Sequence, residues 1–147
     1  MLSVESCLRY LQVSNILTSN TRKMSDLSLF KDQLKKRTKK FAHDCVKFSL
    51  DLPNDQLGRH ISGQLIRCST SVAANYRASC IAQTVPVLIS KMSIAIEEAD
   101  ESEFWIEFAM DEGLNPDSKG SALMTEAHEI TSILIKSRMT LQNNSHK

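Results

Sequence analysis

At 147 residues, 41% hydrophobic and 24% charged, the chain has the size and balance of one globular domain with a real core. A formal net charge of +1 gives the molecule as a whole no attraction for nucleic acid, so any such attraction must be local. Four glycines, three prolines and 5% aromatics leave few turns and little strand-forming material, which points to long helices joined by short links.

Residues 1–23 differ from the rest. Leu8, Tyr10, Leu11, Val13, Ile16 and Leu17 are apolar, but serines, threonines and Asn20 interrupt any long amphipathic pattern. They form neither a clean apolar core for a signal peptide nor a cleavage site. The expectation is a weakly ordered extension, with Met24 a natural alternative start to Met1.

The first strong helix is expected from Asp26 to Leu52. Leu27, Phe30, Leu34, Phe41, Cys45, Phe48 and Leu52 follow three-four spacing with one gap near Thr38. Lysines and Arg37 crowd its other faces. Pro53 ends it, and Asn54 is the candidate cap of the next helix. That second helix, Asp55 to Ala82, carries Leu57, Ile61, Leu65, Cys68, Val72, Tyr76 and Ser79 on one stripe. Gly58 and Gly63 cost it about 1 kcal/mol each relative to Ala, for which close helix approach is the candidate reason.

Thr84 as N-cap and Pro86 in the first turn open a third helix, Val85 to Glu112, closed by Gly113. Its apolar arc is broad, including Ile89, Ile96, Phe104, Trp105 and Phe108. Glu97, Glu98, Asp100, Glu101, Glu103, Glu107, Asp111 and Glu112 make it the acidic counterpart of the first helix. After a turn at 114–117, a fourth helix runs from Ser118 to Leu141, and residues 143–147 should fray. The fold class is all-α: an up-down-up-down antiparallel four-helix bundle over 24–142, since such short links force antiparallel neighbours.

The four cysteines, Cys7, Cys45, Cys68 and Cys80, show neither C-x-x-C nor zinc-finger spacing. Cys45 and Cys68 fall on apolar helical positions and read as buried free thiols of a reducing compartment. No apolar run approaches the roughly 18–20 residues that cross a bilayer. The expected setting is cytoplasmic, with no membrane partner.

Thr70-Ser71-Val72-Ala73-Ala74-Asn75-Tyr76-Arg77-Ala78 resembles the TSV-x-AN-Y-R-x-A segment of a known bacterial family. Ile89-Ser90-Lys91-Met92 resembles its F-I-x-K-L segment. Glu98-Ala99-Asp100-Glu101-Ser102 with Trp105-Ile106-Glu107 resembles its EADE[ST]-x-x-WL-E segment, and Phe41-Ala42 its opening FA. The family is that of the four-helix-bundle proteins encoded in 23S rRNA intervening sequences. The likeness covers roughly Lys39 to Leu114. It departs at Val85-Pro86-Val87, where the family more often has Lys or Ser, an acid and Phe, and at Ala78-Ser79, which replaces Glu-Ala. The resemblance implies an oligomer, commonly a ring-like homopentamer, and kinship with accessory proteins of diversity-generating retroelements, which bind nucleic acid and a reverse transcriptase.

Lys35, Lys36, Arg37, Lys39 and Lys40 form the candidate nucleic-acid surface, close enough to meet phosphates together. A solvated helix face partly paired with the acidic third helix is the competing reading. Little aromatic interleaving argues against base stacking, so contact would be led by the phosphate backbone. Arg67, Asn75, Arg77, Glu98 and Glu101 form a candidate polar network of structure or assembly, in which Asn75 reads as a buried amide fixing helix register. Phe104, Trp105 and Phe108 are candidate interface aromatics. No Glu-x-x-His, Gly-rich phosphate loop or catalytic triad occurs, so neither metal, cofactor nor enzymatic activity is expected. The expected function is that of an oligomeric accessory protein contacting RNA, DNA or a nucleic-acid-processing protein. The alternative is a scaffold or adaptor without nucleic-acid affinity.

Overall fold

Four helices follow one another in the computed structural model, which describes residues 20–114 and 119–145. They are α1 (Asn20–Leu50), α2 (Gln56–Ser79), α3 (Val85–Asp111) and α4 (Lys119–Ser145). Each packs on its two neighbours around the bundle and none on the helix diagonally opposite. This is the all-α four-helix bundle that the periodicity predicts. The α2–α3 seam is the most intimate and the α1–α4 seam the loosest.

Several boundaries differ from the sequence reading. α1 begins at Asn20, so residues 20–23 of the supposed extension already have helical backbone. Residues 1–19, with Cys7 and the choice between Met1 and Met24, lie outside the described residues. α1 ends at Leu50, and α4 continues through residues 143–145, where fraying was expected. The cap of α2 is Asp55 rather than Asn54: its carboxylate accepts the Gly58 amide at 2.8 Å. Thr84 caps α3 as anticipated, its hydroxyl accepting the Val87 amide.

Gly113 closes α3 with φ +66°. Its amide donates to the Met110 carbonyl at 2.9 Å, and that of Leu114 to the Ala109 carbonyl at 3.0 Å. This paired ending leaves Leu114 packed against the core. Gly58 is needed for a reason other than helix approach, because a Cβ there would stand 2.0 Å from the Pro53 carbonyl oxygen. Nothing lies within 4 Å of a Cβ placed on Gly63, so packing within the chain does not explain it.

The core is continuous through all four helices. Phe30, Leu34, Phe41 and Phe48 of α1 meet Ile61, Leu65 and Val72 of α2, Ala95, Ala99 and Ile106 of α3, and Ile130, Ile133 and Leu134 of α4. The gap in the α1 stripe is filled by Thr38, which is fully buried with its hydroxyl donating to the Leu34 carbonyl at 3.0 Å. A hydroxyl tolerates the core there because the helix itself satisfies it. Cys45 and Cys68 are buried free thiols, and burial raises both above the usual thiol range, keeping them protonated. Ser102 is equally buried, donating to the Glu98 carbonyl at 2.7 Å beside the Cys68 sulfur at 3.1 Å.

Candidate nucleic-acid interface

The side of α1 turned away from the core is set by the same periodicity that buries Leu34, Phe41 and Phe48. Lys36, Lys39, Lys40, His43 and Lys47 recur at three and four residues, so they share the outward stripe, and all are exposed. With Asp44 they form one open, shallow stretch of surface along a single helix. Asp44 is the only acid in it. It takes Lys40 at 2.5 Å and Lys47 at 3.7 Å, and the Asp44 carboxylate raises the Lys40 pKa. Lys36 and Lys39 form no ion pair among the described residues, so their ammonium groups are available to an incoming anion.

Of the five residues singled out from sequence, Lys36, Lys39 and Lys40 share this stripe and Lys35 and Arg37 lie off it. Lys35 is held by Asp32 at 3.4 Å. Arg37 turns away from the stripe: its side chain is only 10% exposed and reaches across the α1–α4 seam. Its guanidinium donates through Nε to Glu126 Oε1 and through Nη2 to Glu126 Oε2, both at 2.7 Å, and to Glu129 at 2.5 Å. The hydrogen bonds it donates to Glu126 lead in holding the guanidinium above its ordinary pKa. Arg37 is thus a seam residue, and the acids paired with α1 belong to α4 rather than α3. His43 and Lys47 complete the surface instead. Their signal was present in the 36–40–43–47 spacing but hidden by the denser run before it.

The candidate polar network divides similarly. Arg67 spans from α2 to α3, donating to Glu98 at 3.0 Å and to Glu101. Glu101 also accepts the Trp105 indole N–H at 3.1 Å, and the Arg67 hydrogen bond leads in lowering its pKa. Arg77 is exposed and takes no ion pair among the described residues. Asn75 is half-buried, and its amide donates within its own helix to the Ser71 carbonyl and hydroxyl, both at 3.0 Å. It therefore bridges no helices, contrary to the register-fixing role read for it.

The three aromatics form one cluster. Phe104 and Trp105 meet edge to face at 5.0 Å, Phe104 stacks with Phe108 at 5.9 Å, and Trp105 meets His60 of α2 at 5.4 Å. Trp105 and Phe108 are part-buried against the core, whereas Phe104 is 50% exposed. No group of three His, Cys, Asp or Glu side chains among the described residues is placed to hold a metal. Nor is any described helix long and apolar enough to cross a membrane.

A four-helix bundle with one basic outward stripe and a broad acidic-aromatic helix defines the class to which comparisons with known proteins can be put. The chain belongs to the 23S rRNA-intervening sequence protein family, whose model matches residues 31–136. The matched span takes in α1 from Lys31, all of α2 and α3, and α4 as far as Lys136. A crystal structure of a protein of unknown function from the S23 ribosomal protein family of Bacteroides thetaiotaomicron VPI-5482 is similar, with a TM-score of 0.69 and 28% identity. The alignment covers 74% of this chain and 97% of that one. Among curated proteins none matches.

Proposed function

We propose that this protein is a non-enzymatic, cytoplasmic accessory protein that works as a homo-oligomer and contacts nucleic acid through the outward stripe of α1. The observation that carries this reading is the exposed stripe on which Lys36 and Lys39, without ion pairs among the described residues, stand beside Lys40, His43 and Lys47. Ammonium groups on a rigid helix attract phosphate oxygens as point charges, without reading bases. Repeated around an oligomer, four cations per copy become a field strong enough to hold a polyanion. The pentamer implied by the family resemblance would supply five copies.

Fluorescence anisotropy with a structured RNA and a DNA duplex, across a salt series, tests this. If three lysines per copy reach phosphates, log affinity should fall with log salt with a slope of about −2 to −3 per engaged copy. Changing Lys36, Lys39 and Lys47 to Gln should abolish binding, while Arg37→Gln should leave the salt slope unchanged. Absence of binding at low salt would reject the nucleic-acid role. The second reading, a protein–protein adaptor, is favoured by one other observation, the half-exposed Phe104 on the opposite side of the bundle.

A further inference from the structure

The exposed aromatic ring stands in unusual company. Glu97, Asp100, Glu107 and Asp111 lie seven and four residues before Phe104 and three and seven after it, so all five share one outward stripe of α3. All four carboxylates are exposed, and none has an ion-pair partner among the described residues. The acids that α3 does pair, Glu98, Glu101 and Glu103, lie nearer the flanking helices, facing Arg67 and His128. The acidic stripe makes no ion pair among the described residues, and the ring it surrounds, in the last third of α3, packs on Trp105 and Phe108 by one side only and leaves its other half open. Together they fit a partner that brings apolar side chains and cations in the same stripe.

The chain itself carries such a stripe. Among the described residues the core along α1 begins at Phe30, and the apolar side chains just before it are exposed. Met24 is 72% exposed and Leu27 is 52% exposed. With Lys31 and Lys35 they recur at three, four and four residues, giving a stripe with an apolar half followed by a basic half. Lys31 has no ion pair among the described residues, and Lys35 has only its exposed contact with Asp32 on the same helix.

We infer that the exposed Met24–Lys35 stripe of α1 of one copy docks on the Phe104 stripe of α3 of a second copy. Met24 and Leu27 cover the Phe104 ring, and Lys31 and Lys35 pair with the unpaired carboxylates around it. A flexible thioether packs favourably on a ring edge, and cations brought to desolvated carboxylates set the register. The two surfaces are different patches, so the contact is head-to-tail and propagates from copy to copy until it closes. It leaves Lys36, Lys39, His43 and Lys47 outside the contact. This inference rests on the oligomer proposed above and names its interface.

The test uses the full chain and sedimentation velocity over a micromolar concentration series. One variant, Met24→Glu with Leu27→Glu, spoils the docking helix. A second, Phe104→Lys, spoils the receiving face. Met24 and Leu27 are exposed and Phe104 is half-exposed outside the core, so both variants should keep the fold, with Phe104→Lys losing a little stability with its ring contacts, and circular dichroism melts check that. Each variant alone should be monomeric, whereas an equimolar mixture should give a heterodimer and nothing larger, since only one intact surface of each kind remains. The emission of Trp105, the only tryptophan, should shift to the blue on mixing. Variants that assemble like wild type, or monomeric variants that ignore each other, would overturn the interface while leaving the oligomer intact. A wild-type protein that stays monomeric throughout would overturn both.

Discussion

Arg37 and Glu101 show how far the meaning of a charged residue depends on which side of a helix it meets. Arg37 sits within a run of cations, yet one helical step carries it from the solvent into the α1–α4 seam, where two glutamates of α4 close on it. Arg37→Met should cost about 2–4 kcal/mol, because it leaves Glu126 and Glu129 facing each other part-buried without a counter-ion. Urea unfolding of the single variant measures this, and the additional change of Glu126 and Glu129 to Gln should recover part of the loss. Glu101 is the residue whose ionisation can be followed directly. Its pKa is lowered by the Arg67 hydrogen bond, so its contribution to stability is fully present above the unfolded glutamate value of about 4.3. That contribution is lost as pH falls through the lower folded value. Glu101→Gln should therefore melt below wild type at neutral pH, and the two should converge in acid. The indole N–H bonded to Glu101 makes Trp105 emission a second readout, titrating in wild type and flat in the variant. The site is half open to solvent, so the effect should be modest and weaken with salt.

At the scale of the elements, three glycines that look alike in sequence have three different roles. A Cβ on Gly58 would run into the Pro53 carbonyl, a backbone atom held by the tight α1–α2 link, and Gly58→Ala should cost about 3 kcal/mol. Gly113 holds a left-handed conformation at the end of α3, and Gly113→Ala should cost about 1–2 kcal/mol. Gly63 lies mid-helix and exposed with open space around it, so Gly63→Ala should stabilise by up to about 1 kcal/mol. Thermal melts of the three variants check both the order and the change of sign. The element boundaries follow the same logic of local satisfaction. Asp55 and Thr84 each present a side-chain oxygen to an otherwise unpaired amide, and the sequence signals for Thr84, Pro86 and Gly113 were legible because capping is a local property. The sequence reading took Asn54 as the cap of α2, whereas the extended backbone at residue 55 makes Asp55 the cap.

For the whole molecule, the four helices place opposite charges on opposite sides. α1 and α3 are diagonal partners that face each other across the core, so the outward lysine stripe of one and the outward carboxylate stripe of the other cannot neutralise each other within a single copy. The net charge of +1 conceals this polarity. Phosphate binding by the lysine stripe should be salt-dependent, and mutation of the carboxylate stripe should lower its slope only as far as it lowers the number of copies engaged, leaving the slope per copy unchanged. The same anisotropy series on a variant with Glu97, Asp100, Glu107 and Asp111 changed to Gln checks this. A weakened self-association there, with single-copy affinity preserved, would separate the two surfaces.

The sequence by itself determined the architecture of this protein. Three-four periodicity, scarce breakers and short links leave an antiparallel helix bundle as the way to bury Phe41, Phe48, Ile61, Leu65, Ile106 and Leu134 together. It also placed Arg67, Glu98 and Glu101 among the residues that could meet, because their spacing repeats with the helix. Only the tertiary structure decided which arginine takes the two glutamates, that Arg37 turns inward, and that Asn75 bonds within its own helix. Those outcomes depend on the rotation and height of one helix against the next. A pattern written along one helix carries its own period, but says nothing of its neighbour's phase.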